Sequence, residues 1–123
     1  AIIQVGYLTK SEYEYTHHVR LGTEQFGVTE DDINAITLET NGKKSCLPKL
    51  EKTILRSARD MVTNLKITDI DFDFLKVSLS NEHLVDLVLT IAFYCAVVRV
   101  LATLEIDNEP HYKEALEKFP LPN

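Results

Sequence analysis

The stretch from Ser11 to Phe26, SEYEYTHHVRLGTEQF, decides the fold class. Its apolar members Tyr15, Val19 and Phe26 line up with the preceding Leu8 at helical spacings, and nothing alternates as a half-buried strand must. Thr9 or Ser11 stands where a cap would start the helix, and Glu12 and Glu14 lie in its first turn. Gly27 follows its end as a stop. One amphipathic helix from Ser11 to Phe26 is expected.

The same signals recur on both sides. Ala1 to Leu8 is apolar and has no capping residue before it, so it reads as a helix cut rather than begun. Thr29-Glu30-Asp31-Asp32 makes a capping start for a short helix to about Leu38, and Glu39 to Lys49 is the clearest loop. Leu50, Ile54, Leu55, Ala58, Met61, Val62 and Leu65 recur three and four apart, one face of a further helix. Asp69 or Asp71 is placed to cap a short helix carrying Phe72, Leu75 and Leu79. Ser80 and Asn81 open a long helix to about Leu104. Within it, Leu87 to Val98 is the longest apolar run, 12 residues bounded by Asp86 and Arg99. That falls short of the ~20 a membrane span needs, so it reads as a buried core helix. Asp107 to Pro110 breaks the pattern, and His111 to Phe119 forms a last short helix or an extended tail. The expectation is all-α: one domain over residues 1–123, a bundle of about six helices with antiparallel neighbours.

Composition agrees and removes several function classes. Gly and Pro number only 4 each among 123 residues, leaving few helix breakers. The net charge of −6 and the scattered Lys and Arg argue against a nucleic-acid surface. No signal peptide is expected, because no basic n-region stands before an apolar stretch at the N-terminus. Cys46 and Cys95 lie in unlike segments and read as two free thiols in a reducing compartment. A cytoplasmic protein with no nucleic-acid or membrane partner is expected.

The chemistry is concentrated in the opening helix. At about 100° per residue, Ser11, Glu14, His18 and Gly22 share a band about 80° wide beside the apolar stripe. Glu14 and His18 are an i,i+4 pair, and a carboxylate at that spacing fixes an imidazole's tautomer and favours its charged form, as a proton-transfer pair requires. The same spacing also describes an ordinary surface ion pair. Gly22 would leave room beside the imidazole for a ligand or a neighbouring helix. His17 points about 100° away and reads as solvated, and adjacent helical histidines diverge too far to share a metal. Tyr94 and Arg99 are polar features of the last helix; a tyrosine there usually parks its hydroxyl on a partner, whereas an arginine facing a cavity can hold an anionic group.

From Val5 to Val19, VGYLTKSEYEYTHHV, the chain resembles the core motif of carboxymuconolactone decarboxylase-like proteins. That motif is Glu-Trp-x-x-His after a helix, followed by a small residue, a Gly and an acidic cap. Glu14, Tyr15, His18, Gly22, Gly27 and the Thr29–Asp32 cap fill these places, with Tyr15 where Trp is usual. Leu84 through Tyr94 and Arg99 to Leu104 is similar to the family's C-terminal helix, so the likeness runs from Ala1 to about Pro110. It implies an AhpD-like helical bundle, truncated at its N-terminus because the family's upstream glutamate would fall just before Ala1. It also implies homo-oligomers: dimers, trimers or hexamers. In the AhpD branch a Cys-x-x-Cys pair precedes the motif histidine. Ser11 and Glu14 stand there, and neither can form a thiolate.

The resemblance therefore points to the branch without redox cysteines: a cofactor-independent, metal-free lyase or isomerase acting on a small carboxylated or lactone-type molecule. In it His18 is the general acid/base, Glu14 orients and charges it, and Ser11, Tyr15, Tyr94 and Arg99 contact substrate. A non-catalytic binding or assembly module with the same fold is the alternative. Thiol peroxidase activity is third, disfavoured by the missing cysteines. Convergence of Glu14, His18 and Arg99 on one enclosed cavity would favour the enzyme.

Overall fold

A computed structural model describes residues 1–123, and every regular element is helical. In chain order these are α1 (Ile2–Thr9), α2 (Glu12–Gln25), α3 (Glu30–Thr40), α4 (Lys49–Thr63), α5 (Asp69–Ser78), α6 (Asn81–Thr103), a 3₁₀ turn (Pro110–Tyr112) and α7 (Glu114–Lys118). The all-α expectation holds. The boundaries fall where local chemistry sets them. Thr29 and Asp32 form a reciprocal capping box on α3, and the Ser80 hydroxyl accepts from the His83 N–H at 3.1 Å to start α6. Thr68, rather than Asp69 or Asp71, caps α5, because its hydroxyl stands three residues before the Asp71 N–H that needs an acceptor.

The turn between α1 and α2 positions the candidate site. Lys10 adopts the left-handed conformation (φ 54, ψ 30). Its N–H bonds the Tyr7 carbonyl and the Ser11 N–H bonds that of Gly6, a Schellman ending that turns the chain back on itself. The two backbones then touch: a Cβ on Gly6 would lie 2.9 Å from the Tyr15 nitrogen. Only glycine permits that approach.

The core is built around α1, where Ile3, Gln4, Val5, Gly6 and Tyr7 are buried in succession. Ile3, Tyr7, Tyr15, Val19, Ile33, Ile36, Leu55 and Phe119 form its largest apolar cluster, and Val5 joins Ala58, Ile91 and Val98 in a second. Between α4 and α5, the Arg56 guanidinium grips the buried Asp71 carboxylate through two hydrogen bonds of 2.7 and 2.9 Å. The C-terminal arm folds back over α2 and delivers Phe119 to the core.

Two expectations about α6 are corrected. It is not the buried core helix; that place belongs to α1. Only Leu84, Ile91 and Val98, seven residues apart, are buried along α6, and Val85, Leu89, Phe93 and Val100 are each more than half exposed. High apolar content could not bury it, because the other helices cover only one of its sides. Nor does its apolar stretch end at 12 residues: that run sits within the long helix expected to about Leu104, a continuous 23 residues, long and apolar enough by length and composition to cross a bilayer. Here its inner seam packs against α1, α4 and α5 instead.

Candidate functional site

Glu14 lies one position before Tyr15, the residue that α1 clamps through Gly6, and its carboxylate is drawn beneath the surface with it. One turn later, His18 folds its ring over that carboxylate. Its Nδ1 lies 2.6 Å from Glu14 Oε1 and 3.2 Å from the Glu14 carbonyl oxygen. The ring N–H is aligned with the carbonyl, so the carboxylate contact is electrostatic, and Oε1 is buried with no aligned donor. With two acceptors at Nδ1, the neutral ring carries its proton there and leaves Nε2 as the working nitrogen.

The partner of Nε2 comes from far away in the chain. The Tyr94 hydroxyl of α6 lies 3.2 Å from it, and the two rings meet edge to face at 4.9 Å. Burial, and then the negative charge of Glu14, raise the Tyr94 phenol above its ordinary pKa, keeping it protonated near neutrality. Carboxylate, imidazole and phenol thus form one hydrogen-bonded and electrostatic series, with the imidazole side chain 18% exposed. Such a series can hold, donate or accept one proton at Nε2 without rearranging its other end.

The remaining expected contacts do not join this cluster. Tyr15 is 1% exposed and packs against Tyr7 with ring centroids 5.8 Å apart. Burial, and secondarily Tyr7, push its phenol up to about 12, the behaviour of a core residue. Ser11 occupies the N-cap of α2 without a side-chain capping bond and lines a separate shallow hollow of about 350 Å³ with Lys10, Tyr13, Asp107 and Lys113. Arg99 is exposed and bonds the Cys95 carbonyl of its own helix. Five residues beyond Tyr94, it points about 140° away from it. The space beside Gly22 is filled, since an added Cβ would meet Val28 Cγ2 at 3.1 Å.

His17 is not a solvated histidine. Its ring is stacked between Tyr13 at 3.9 Å and Tyr112 at 3.6 Å, with Nε2 3.3 Å from a Glu109 carboxylate oxygen. The physical reason is the C-terminal arm, which covers that face of α2. Asn108, on the same arm, donates to the buried Thr16 hydroxyl at 3.0 Å, while its own Oδ1 is buried without a partner. Sequence spacing carries no signal for either contact, because each partner lies about ninety residues away.

The largest surface depression, about 700 Å³, opens between α2 and this arm and is lined by Arg20, Glu24, Glu30, Tyr112, Lys118 and Phe119 among others. It does not include Glu14, His18 or Tyr94, and four of its charged chains pair as Arg20–Glu24 and Lys118–Glu30. The proton-transfer cluster is the better candidate on chemistry, the depression only on size. No three His, Cys, Asp or Glu side chains gather as a metal site requires, and both cysteines are free. Comparison with protein-family models, curated proteins and solved structures finds no match to this chain.

Proposed function

We propose that this protein is a cofactor-independent lyase or isomerase whose acid/base is His18, acting on a small carboxylated or lactone-type substrate. The observation that carries the proposal is the Glu14–His18–Tyr94 series: an imidazole held at Nδ1 by a buried carboxylate and met at Nε2 by a phenol from another helix. In a decarboxylation, the bond from carbon to the departing carboxylate breaks and carbon dioxide leaves. The electron pair is held as the enolate of the adjacent carbonyl, and protonated His18 donates its Nε2 proton to that carbon. Glu14 stabilises the cationic ring before transfer, and Tyr94 fixes its plane. An isomerisation uses the same nitrogen twice, first as base and then as acid. The resemblance of residues 5–19 to the carboxymuconolactone decarboxylase motif supports this substrate class. The homo-oligomer and a reducing, cytoplasmic setting belong to the same proposal.

A non-catalytic module is the second reading. It is favoured by Arg99 facing elsewhere and by the absence of Glu14, His18 and Tyr94 from the lining of the larger surface hollows. The test is carbon-bound deuterium uptake in D2O, followed by NMR, over a panel of carboxylated lactones and β-keto acids. His18→Gln is the informative variant, because it keeps an amide beside Glu14 where alanine would strand the carboxylate. Uptake by the native chain and a drop of at least about a hundredfold in the folded variant is the expected result. Equal uptake by both removes His18 from the chemistry, and none by either favours the module.

A further inference from the structure

α6 has two apolar seams, and the fold uses one. Leu84, Ile91 and Val98 face inward. On the opposite side Glu82, Val85, Leu89, Ala92, Ala96 and Arg99 follow one another at alternating steps of three and four, the spacing of a helix seam, and all six are exposed. Phe93 and Val100 flank them at 63% and 55% exposure.

We propose that this outer seam is the contact between two copies of the chain, with the two α6 helices antiparallel about a two-fold axis. The sequence of the seam is self-complementary in that arrangement. With the axis between Thr90 and Ile91, Leu89 of one copy meets Ala92 of the other, Val85 meets Ala96, and Glu82 meets Arg99. Each large side chain faces a small one, which lets the helices approach, and each end of the seam closes on an opposite charge. A parallel pairing would set Glu82 against Glu82 and Arg99 against Arg99.

The area is sufficient. The exposed parts of these side chains and their flanks amount to roughly 600 Å² per copy, so complete coverage removes at most about 1,200 Å², the lower limit of a specific interface. Arg99 thereby gains the carboxylate it lacks within its own chain. The proposal gives the homo-oligomer a face and a register, and it stands independently of the chemistry at His18, since Tyr94 lies on the far side of α6.

Sedimentation velocity of the full chain over a wide concentration range tests it, with far-UV circular dichroism confirming that each variant is folded. The native chain is expected at a multiple of its 14.0 kDa mass. Leu89→Asp, at a solvent-exposed position, should leave monomers. Glu82→Arg and Arg99→Glu should each weaken association about tenfold or more, and the double variant should restore it. A native monomer at every concentration overturns the proposal, as does an assembly indifferent to Leu89→Asp. Single reversals that the double variant does not rescue overturn the antiparallel register. Capture of a monomeric chain on phosphatidylcholine vesicles, lost in Leu89→Asp, assigns the face to lipid and overturns the pairing.

Discussion

Replacing His18 with alanine would leave the Glu14 carboxylate, whose side chain is 4% exposed, without the imidazole that lies 2.6 Å from it. Removing one partner of a buried pair costs about 3–5 kcal/mol, and the lost edge-to-face contact with Tyr94 adds about 0.5–1 kcal/mol. About 4 kcal/mol is a large part of the 5–15 kcal/mol that holds a domain of this size. The midpoint of thermal unfolding should fall by about 15 °C. Adding Glu14→Gln should recover about 2 kcal/mol, because a stranded amide costs less than a stranded carboxylate. Urea unfolding at pH 7 of the native chain, the two single variants and the double variant measures all four corners of the cycle. A His18→Ala variant within about 1 kcal/mol of native, or a double variant less stable than His18→Ala, would refute the description of Glu14 as a buried carboxylate that depends on the His18 ring.

Two further outcomes follow from the packing. Among the five tyrosines, Tyr15 and Tyr94 should ionise last on alkaline titration, Tyr15 at about 12. Because the fold holds these protons more tightly than the unfolded chain does, the stabilisation is complete below the ordinary phenol value of 10.0 and is lost as pH rises through the folded value; stability that stays flat from pH 10 to 12 contradicts it. Asp71→Ala removes both hydrogen bonds from Arg56 and should cost about 3 kcal/mol, with amide exchange accelerated in Asp69–Ser78. Unchanged protection there would mean that α5 is held by its apolar face alone.

Helix boundaries were readable because caps and stops act over three or four residues. Thr29 with Asp32, Ser80 with His83 and the end at Gly27 needed no knowledge of the rest of the chain. Burial was a different matter. The apolar content of Leu87–Val98 says how strongly that surface avoids water, not whether the chain has enough other surface to cover it; the shorter α1 took the centre because Gly6 lets α2 lie directly against it. The Glu14–His18 pair was visible in its spacing, whereas its meeting with Tyr94 spans 76 residues and is a product of the fold. The separation of Tyr94 from Arg99 needed no structure at all, since five residues along a helix cannot share a face. His17 was misjudged because Glu109 and Tyr112 arrive on an arm that the sequence presents as a break and a short helix or tail, with nothing to say which helix it covers.

That arm has a consequence for the order in which the molecule is assembled. Phe119 closes the cluster containing Tyr15 and Val19, yet it follows them by about a hundred residues. A chain emerging from the ribosome can pair α1 with α2 at once, through contacts close in sequence, but it must carry that pair with one apolar side wet until the arm is made. The early intermediate would be sticky and capable of the wrong partners. Glu109 and Tyr112 grip His17 on the same arm that carries Phe119, so the contacts that anchor the arm and the residue that closes the cluster arrive together.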